Sequence, residues 1–332
     1  MTDPVLLDDW HPVAATAALA PGAPQPVKLL GTELVLWRGA DGQPRAWLDR
    51  CAHRGTRLSI GRIEHDHLVC AYHGWRYAAD GRCTQVPALP AFVPPAGARA
   101  TTFPVRDCHG LVWASLGAPP DSPPPFPEAS DPGLRALVCG PYDVASSGPR
   151  VVENFLDLAH FAYVHEDVLG SRLRPEVRDY DVGALDGGGV IATGCFAWQP
   201  RSNIAAQRGS EVEYSYRVTR PLTAILTKLP AAQDGFREAI ALHVQPVEEE
   251  LSRAWMVMAM SGRHSADETA SDDSLRAFQD SIFMQDRPIL ENQFPRRLPL
   301  APGAELPVAS DRMSQAYRRY LAERGLRYGV IV

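Results

Sequence analysis

Short apolar runs broken by polar turns dominate the first third of the chain, and longer alternating or helical runs fill the rest. Residues 27–30, 33–37, 45–49, 67–70 and 110–116 read as strands, with Asp41-Gly42 and Asp80-Gly81 as turns among them. This pattern predicts a small all-β domain over residues 1–117. Residues 117–133, GAPPDSPPPFPEASDPG, hold prolines too densely for a helix or a central strand, so a linker is expected over 118–134. Beyond it, 151–165 has a helical period, whereas 211–218 and 239–244 alternate as strands do. Residues 254–260 (AWMVMAM) read as a strand buried on both faces. A further helix is expected over 271–294, opened by Ser271 with Asp272 and Asp273 at its positive end. The second domain, 135–332, is therefore expected to be α+β, an antiparallel sheet flanked by helices. The chain shows no internal repeat and no low-complexity tail.

Within the β-rich third, CAHRGTRLSIGRIEHDHLVCAYHGWRY presents Cys51 and His53, then Cys70 and His73. Two thiolates and two imidazoles in this order suit a Rieske 2Fe–2S cluster, in which one iron takes the cysteines and the other the histidines. Zinc sites normally pair Cys with Cys and His with His, whereas each half-motif here mixes the two. Gly55 and Gly74 follow the two halves, where ligand loops must turn tightly over an inorganic core. Thr56 and Tyr72 stand where respiratory-chain Rieske proteins carry an extra disulfide, and Trp75 stands where they place a serine that donates to a sulfide. Fewer hydrogen bonds to sulfur predict a potential near the lower end of the Rieske range.

Composition narrows the partners. With 332 residues, 45% hydrophobic, 22% charged and a net charge of −6, the chain offers no basic track for nucleic acid. No apolar run approaches the ~20 residues of a membrane span. The opening MTDPVLLDDWHPVA lacks the basic and apolar regions of an export signal, so a cytoplasmic protein is expected. Cys83, Cys108, Cys139 and Cys195 show no disulfide framework and read as small buried apolar residues.

A second metal site is suggested by VVENFLDLAHFAYVH, which puts Asn154, Asp157, His160 and His165 on one expected helix. The first three recur every third residue and would share a face. His165 would lie about 140° round from His160, so the helix must unwind or bulge for both to reach one metal. A single histidine here would be read as ordinary packing; two, beside an acid and an amide and downstream of an electron store, point to iron. Two histidines need a carboxylate to complete the facial triad of a non-haem Fe(II) oxygenase. QDSIFMQDRPILENQ offers Asp280, Asp286 and Glu291. Asp286 leads because Phe283, Ile289, Leu290 and Gln293 give its face an inward character.

These blocks, with the near-terminal AYRRYLAERGLRYGV, resemble the oxygenase (alpha) component of the Rieske non-haem iron ring-hydroxylating oxygenases over nearly the whole length. The short homotrimeric subgroup is the most similar, with vanillate and dicamba O-demethylases and saxitoxin-pathway hydroxylases. The resemblance implies that Cys51, His53, Cys70 and His73 hold the cluster, and that His160, His165 and Asp286 hold the mononuclear iron. It implies that Asp157 bridges an iron-ligating histidine to a cluster histidine of a neighbouring subunit, which makes a homotrimer part of the mechanism. Asn154 matches too, as a catalytic residue, a cap or a partner of the ligands.

A separate NAD(P)H-dependent reductase or ferredoxin is expected, because the chain has no dinucleotide glycine motif and no plant-type ferredoxin cysteines. Dioxygen and a small aromatic or heterocyclic substrate complete the set. Monooxygenation or oxidative dealkylation is favoured over cis-dihydroxylation; an electron-transfer protein, or a sensor with both metal sites, is the contrasting class. The pocket is expected along the sheet between about residues 194 and 260, with Arg201, Arg208 and His243 as candidate carboxylate anchors.

Overall fold

The computed structural model describes residues 3–202, 206, 208–230, 237–261 and 271–332. The chain divides into two compact units, Pro4–Pro123 and, with Asp3, Pro124–Val332. Within the proline-rich segment, Pro127–Ser130 form one 3₁₀ turn, Phe126 is buried, and Glu128 pairs with Arg217 of the second unit.

Three small antiparallel sheets build the first unit. The strands Gln25–Leu29, Thr32–Arg38, Pro44–Leu48 and Thr102–Phe103 form one. Arg62–Glu64, His67–Val69, Arg76–Tyr77 and Cys83–Gln85 form the second, and His11–Ala15, Leu111–Ala114 and Val105–Cys108 the third. Alternation along Thr32–Arg38 splits its side chains between two cores. Leu34 and Leu36 pack with Leu29 and Val112, while Val35 and Trp37 pack with Cys51, Cys70 and Tyr77. Trp37 meets Trp47 edge-on at 5.0 Å, and Trp47 meets Tyr77 at 6.5 Å. This aromatic floor lies under the two ligand cysteines; truncating one such tryptophan costs roughly 3–5 kcal/mol.

The second unit is a seven-stranded antiparallel sheet. In spatial order its strands are Leu134–Val144, Leu251–Ser261, Glu238–Glu248, Thr223–Pro230, Ser210–Arg220, Val190–Gln199 and Asp181–Ala184. Helices Gly148–Leu156 and Asp272–Asn292 cover one face. Phe155 meets Tyr216 edge-on, Phe283 stacks on Tyr142, and Gln279 donates to Met256 Sδ. A Cβ at Gly148 would touch Val244, which places that residue on the covered face as well. Ser271 caps its helix as the sequence announces, accepting from the Ser274 N–H, and Ser147 caps the other by accepting from the Arg150 N–H. Buried Arg150 bonds Glu305, and Arg318 bonds both Glu153 and Glu305, tying the helices Gly148–Leu156 and Arg312–Glu323 together. Strand 254–260 is buried throughout, as its unbroken apolar run requires. No helix among the described residues is long and apolar enough to cross a membrane.

One expected element differs. Residues 151–165 are not a single helix: Gly148–Leu156 stops at Asp157, whose backbone is extended, and Phe161–Val164 forms a separate turn. Asn154, Asp157 and His160 therefore share no helical face. The break falls before His160, because the Asp157 carboxylate takes the N–H groups of Ala159 and His160 and starts the next turn itself.

Candidate iron–sulfur and mononuclear metal centres

The first centre is built by two loops of matching form. Gly55 N–H bonds the Cys51 carbonyl and Gly74 N–H bonds the Cys70 carbonyl, each glycine at positive φ (70° and 68°). Cys51 N–H meets the Thr56 carbonyl, and Cys70 N–H meets that of Trp75. Both thiols are buried, and the imidazoles point their Nδ1 atoms at each other across 3.2 Å. The Trp75 indole stacks on His53 at 4.5 Å, nearly parallel. Sulfur on the inside and imidazole on the outside suit a cluster with one iron toward each pair.

Trp75 brings no hydroxyl to this site, but Tyr77 does. Its hydroxyl lies 3.0 Å from Cys51 Sγ and accepts from the Ala52 N–H at 3.2 Å. Against a coordinated thiolate, the tyrosine is the donor. The expectation of sparse sulfur hydrogen bonding is thus corrected by one bond. Its only trace in the sequence is the final Tyr of HGWRY, which reads as an ordinary core residue until the fold brings it under Cys51. Cys108 differs from the other three non-ligand cysteines in being only partly buried.

The second centre joins segments about 120 residues apart. His160 precedes the short turn Phe161–Val164, His165 ends it, and Asp286 faces them from the long helix. Their ligating atoms lie within 4.8 Å of one another, with His160 Nε2 and His165 Nε2 at 3.4 and 3.1 Å from Asp286 Oδ1. Asp157 Oδ2 accepts from His160 Nδ1 at 2.9 Å, and Gln285 Oε1 from His165 Nδ1 at 2.8 Å. A bond donated from Nδ1 leaves Nε2 with a lone pair. Two such nitrogens and a carboxylate oxygen then converge and repel unless a proton or a cation sits among them. Burial lowers the pKa of His165, yet Asp286 raises it above the ordinary imidazole value, so the group attracts positive charge. This donor set fits Fe(II). Burial also disfavours charge on Asp157, but His160 and two backbone N–H groups hold its carboxyl below the usual range, as an anion.

The other candidate carboxylates are engaged elsewhere. Asp280 accepts from the Tyr142 hydroxyl, and Glu291 from the Ala145 N–H and Arg287. Phe283 and Leu290 are buried beside Asp286, but Ile289 is exposed. Asn154 lies one turn before the break, with its carbonyl accepting the Asp157 N–H. Gly170 closes the site from behind: its N–H reaches the His165 carbonyl, and a Cβ there would overlap the Phe161 backbone. Among the proposed anchors, Arg201 and Arg208 are exposed. His243 pairs with Thr223 on the face opposite Val244, away from the iron-side helices, because adjacent strand residues point to opposite faces.

A two-loop Cys/His pair and a facial two-histidine, one-carboxylate group together define an iron-dependent oxygenase architecture. Family models agree on both halves: residues 9–104 match the Rieske [2Fe-2S] domain, and residues 144–327 match the vanillate O-demethylase oxygenase C-terminal domain. The chain belongs to the Rieske non-haem iron oxygenases, as an oxygenase component with a Rieske cluster and a mononuclear non-haem iron. It is 34% identical to the probable methylxanthine N7-demethylase NdmC of Pseudomonas sp. (strain TJI-51), covering 98% of this chain and 96% of that protein. The structure of NdmA from Pseudomonas putida CBB5 with caffeine superposes with a TM-score of 0.82 at 30% identity, covering 96% of this chain and 91% of the other. A stretch of 118 residues is 44% identical to the oxidoreductase NdmD of Pseudomonas putida, covering 35% of this chain and 20% of NdmD.

Proposed function

We propose that this oxygenase removes a methyl group from nitrogen in a small heterocycle, as formaldehyde. A relative matched along nearly its whole length is named a probable methylxanthine N7-demethylase, and the observation that carries the iron chemistry is the His160–His165–Asp286 group with both Nδ1 atoms already engaged. In this reading Cys51, His53, Cys70 and His73 hold the cluster, and His160, His165 and Asp286 hold Fe(II). The iron, when bound, supplies the activation of dioxygen beside the substrate. The balance is R₂N–CH₃ + O₂ + 2 e⁻ + 2 H⁺ giving R₂N–CH₂OH + H₂O; the N–CH₂OH product then loses formaldehyde and leaves R₂N–H.

The chain's own groups set up this reaction. Asp157 and Gln285 orient the two imidazoles, and the buried positions of His165 and Asp286 keep bulk water from the reacting centre. Asp157, still partly accessible, bridges to a cluster histidine of a neighbouring subunit in a homotrimer, and the Asn154 carbonyl supports the break by accepting its N–H. Electrons arrive singly from a separate reductase, a partner the likeness to NdmD supports. The setting is cytoplasmic.

Turnover of the reconstituted protein with a surrogate reductase and N-methylated xanthines tests the reading. One formaldehyde per dioxygen consumed is expected. Oxygen uptake that yields a cis-diol, or uptake with no formaldehyde from any N-methyl heterocycle, would overturn it.

A further inference from the structure

The sheet face that meets the iron-side helices also carries a row of polar residues that the reaction above leaves unused. Strand register sets Tyr214 opposite Lys228, and Lys228 opposite Glu238. All three are buried, as is Gln199, which is 0% exposed. Lys228 Nζ lies 3.6 Å from Glu238, and Gln199 Nε2 donates to the Tyr214 hydroxyl at 2.6 Å. The row begins one aromatic ring from the metal group, since the Phe161 ring lies 5.8 Å from Tyr214 and 4.9 Å from His160.

Four buried polar side chains in a row need an account, because a buried ion pair seldom stabilises a fold more than apolar packing does. Their hydrogen-bonding capacity is only partly used. The Tyr214 oxygen accepts from Gln199, so its own O–H remains to donate. Gln199 Oε1 has no hydrogen-bond partner among the described residues. Lys228 pairs with Glu238 at 3.6 Å and keeps N–H groups to donate; burial lowers its pKa, but even the neutral amine retains them. Two donors and one acceptor thus stand open. A cyclic imide, with an N–H between two carbonyls, offers two acceptors and one donor.

We infer that Gln199, Tyr214 and Lys228, with Glu238 holding Lys228, form the specificity wall of the substrate pocket and recognise the imide edge of an N-methylated heterocycle. The inference rests on the demethylase reading and names the substrate class for the same site. Tyr214 donates to one carbonyl, Lys228 to the other, and Gln199 accepts the N–H between them. These are specificity residues, because chemistry occurs at the far side of the ring.

The test uses the holoenzyme with both iron centres loaded and reads binding without turnover. The EPR signal of the ferrous nitrosyl adduct is titrated with theobromine, which has the imide N–H, and with caffeine, in which a methyl replaces that hydrogen. Wild type is expected to bind theobromine about tenfold more tightly. Tyr214→Phe and Gln199→Met are each expected to shrink this preference several-fold, with both EPR signals retained; if either variant fails to fold, the other carries the test. Equal affinities in wild type, a theobromine titration that leaves the signal unmoved, or a preference that survives the folded variants would overturn the inference. Formaldehyde release from caffeine alongside equal affinities would sink the imide wall and leave the demethylase reading standing. Discriminating binding with no formaldehyde from either compound would do the reverse.

Discussion

Each unit brings two imidazoles to a common point, but the surroundings differ sharply. His53 and His73 sit at the surface of their unit over buried sulfur, whereas the His165 side chain is 1% exposed and Asp286 lies beside it in the core. Ligands of the first centre come from two loops within one short stretch, and those of the second from segments about 120 residues apart. The partners differ too: stacking on Trp75 and a tyrosine–sulfur bond at the first, hydrogen bonds to each imidazole Nδ1 at the second. The difference follows from what each handles. An electron relay needs its outer ligands where a donor can approach, whereas dioxygen chemistry needs a geometry held rigid and largely dry.

The largest expected effect separates the centres outright. His160→Ala should reduce iron from about three per chain to about two, abolish turnover and leave the Rieske EPR signal intact. Survival of turnover would remove the oxygenase assignment of that group. Asp157→Asn keeps the shape but gives up the anion that orients His160 and, in the proposed function, bridges to the cluster. Both iron centres should remain, while turnover falls on the order of 100-fold and cluster oxidation by dioxygen slows in single-turnover kinetics. Gln285→Leu should weaken Fe(II) binding roughly tenfold, measured by anaerobic titration, because His165 loses the bond that fixes its tautomer. Unchanged affinity would show that packing alone orients the ring. The smallest effect is at the first centre: Tyr77→Phe should lower the cluster potential by roughly 40 mV, about 1 kcal/mol for one electron. A potential that does not move would make the Tyr77 bond purely structural.

Much of the first centre was legible because its ligands, glycines and turns are local, and local chemistry survives in a linear sequence. The strands of that unit, the cap at Ser271 and the buried run 254–260 were legible for the same reason. The residue spacing around Asp286 separated it from its rivals only modestly, since Tyr142 and the Ala145 N–H, which occupy Asp280 and Glu291, come from far along the chain. The helix break at Asp157 escaped the periodic pattern because a side chain competing for backbone N–H groups leaves the apolar spacing unchanged. The row Tyr214, Lys228, Glu238 could not be read at all: it exists only through strand register, and each residue alone looks like an ordinary strand position.

Gly170 has a bearing on how this molecule can change over time. Its bare Cα lies against the Phe161 backbone, where any β-carbon would displace the turn between the two histidines. Strands of the sheet can be rewritten one residue at a time, since side chains there trade volume with one another. Position 170 has no such freedom: it touches neither iron nor substrate, yet almost every codon change there would be filtered out. A lineage exploring new substrates would carry this one glycine through as a fixed hinge pin.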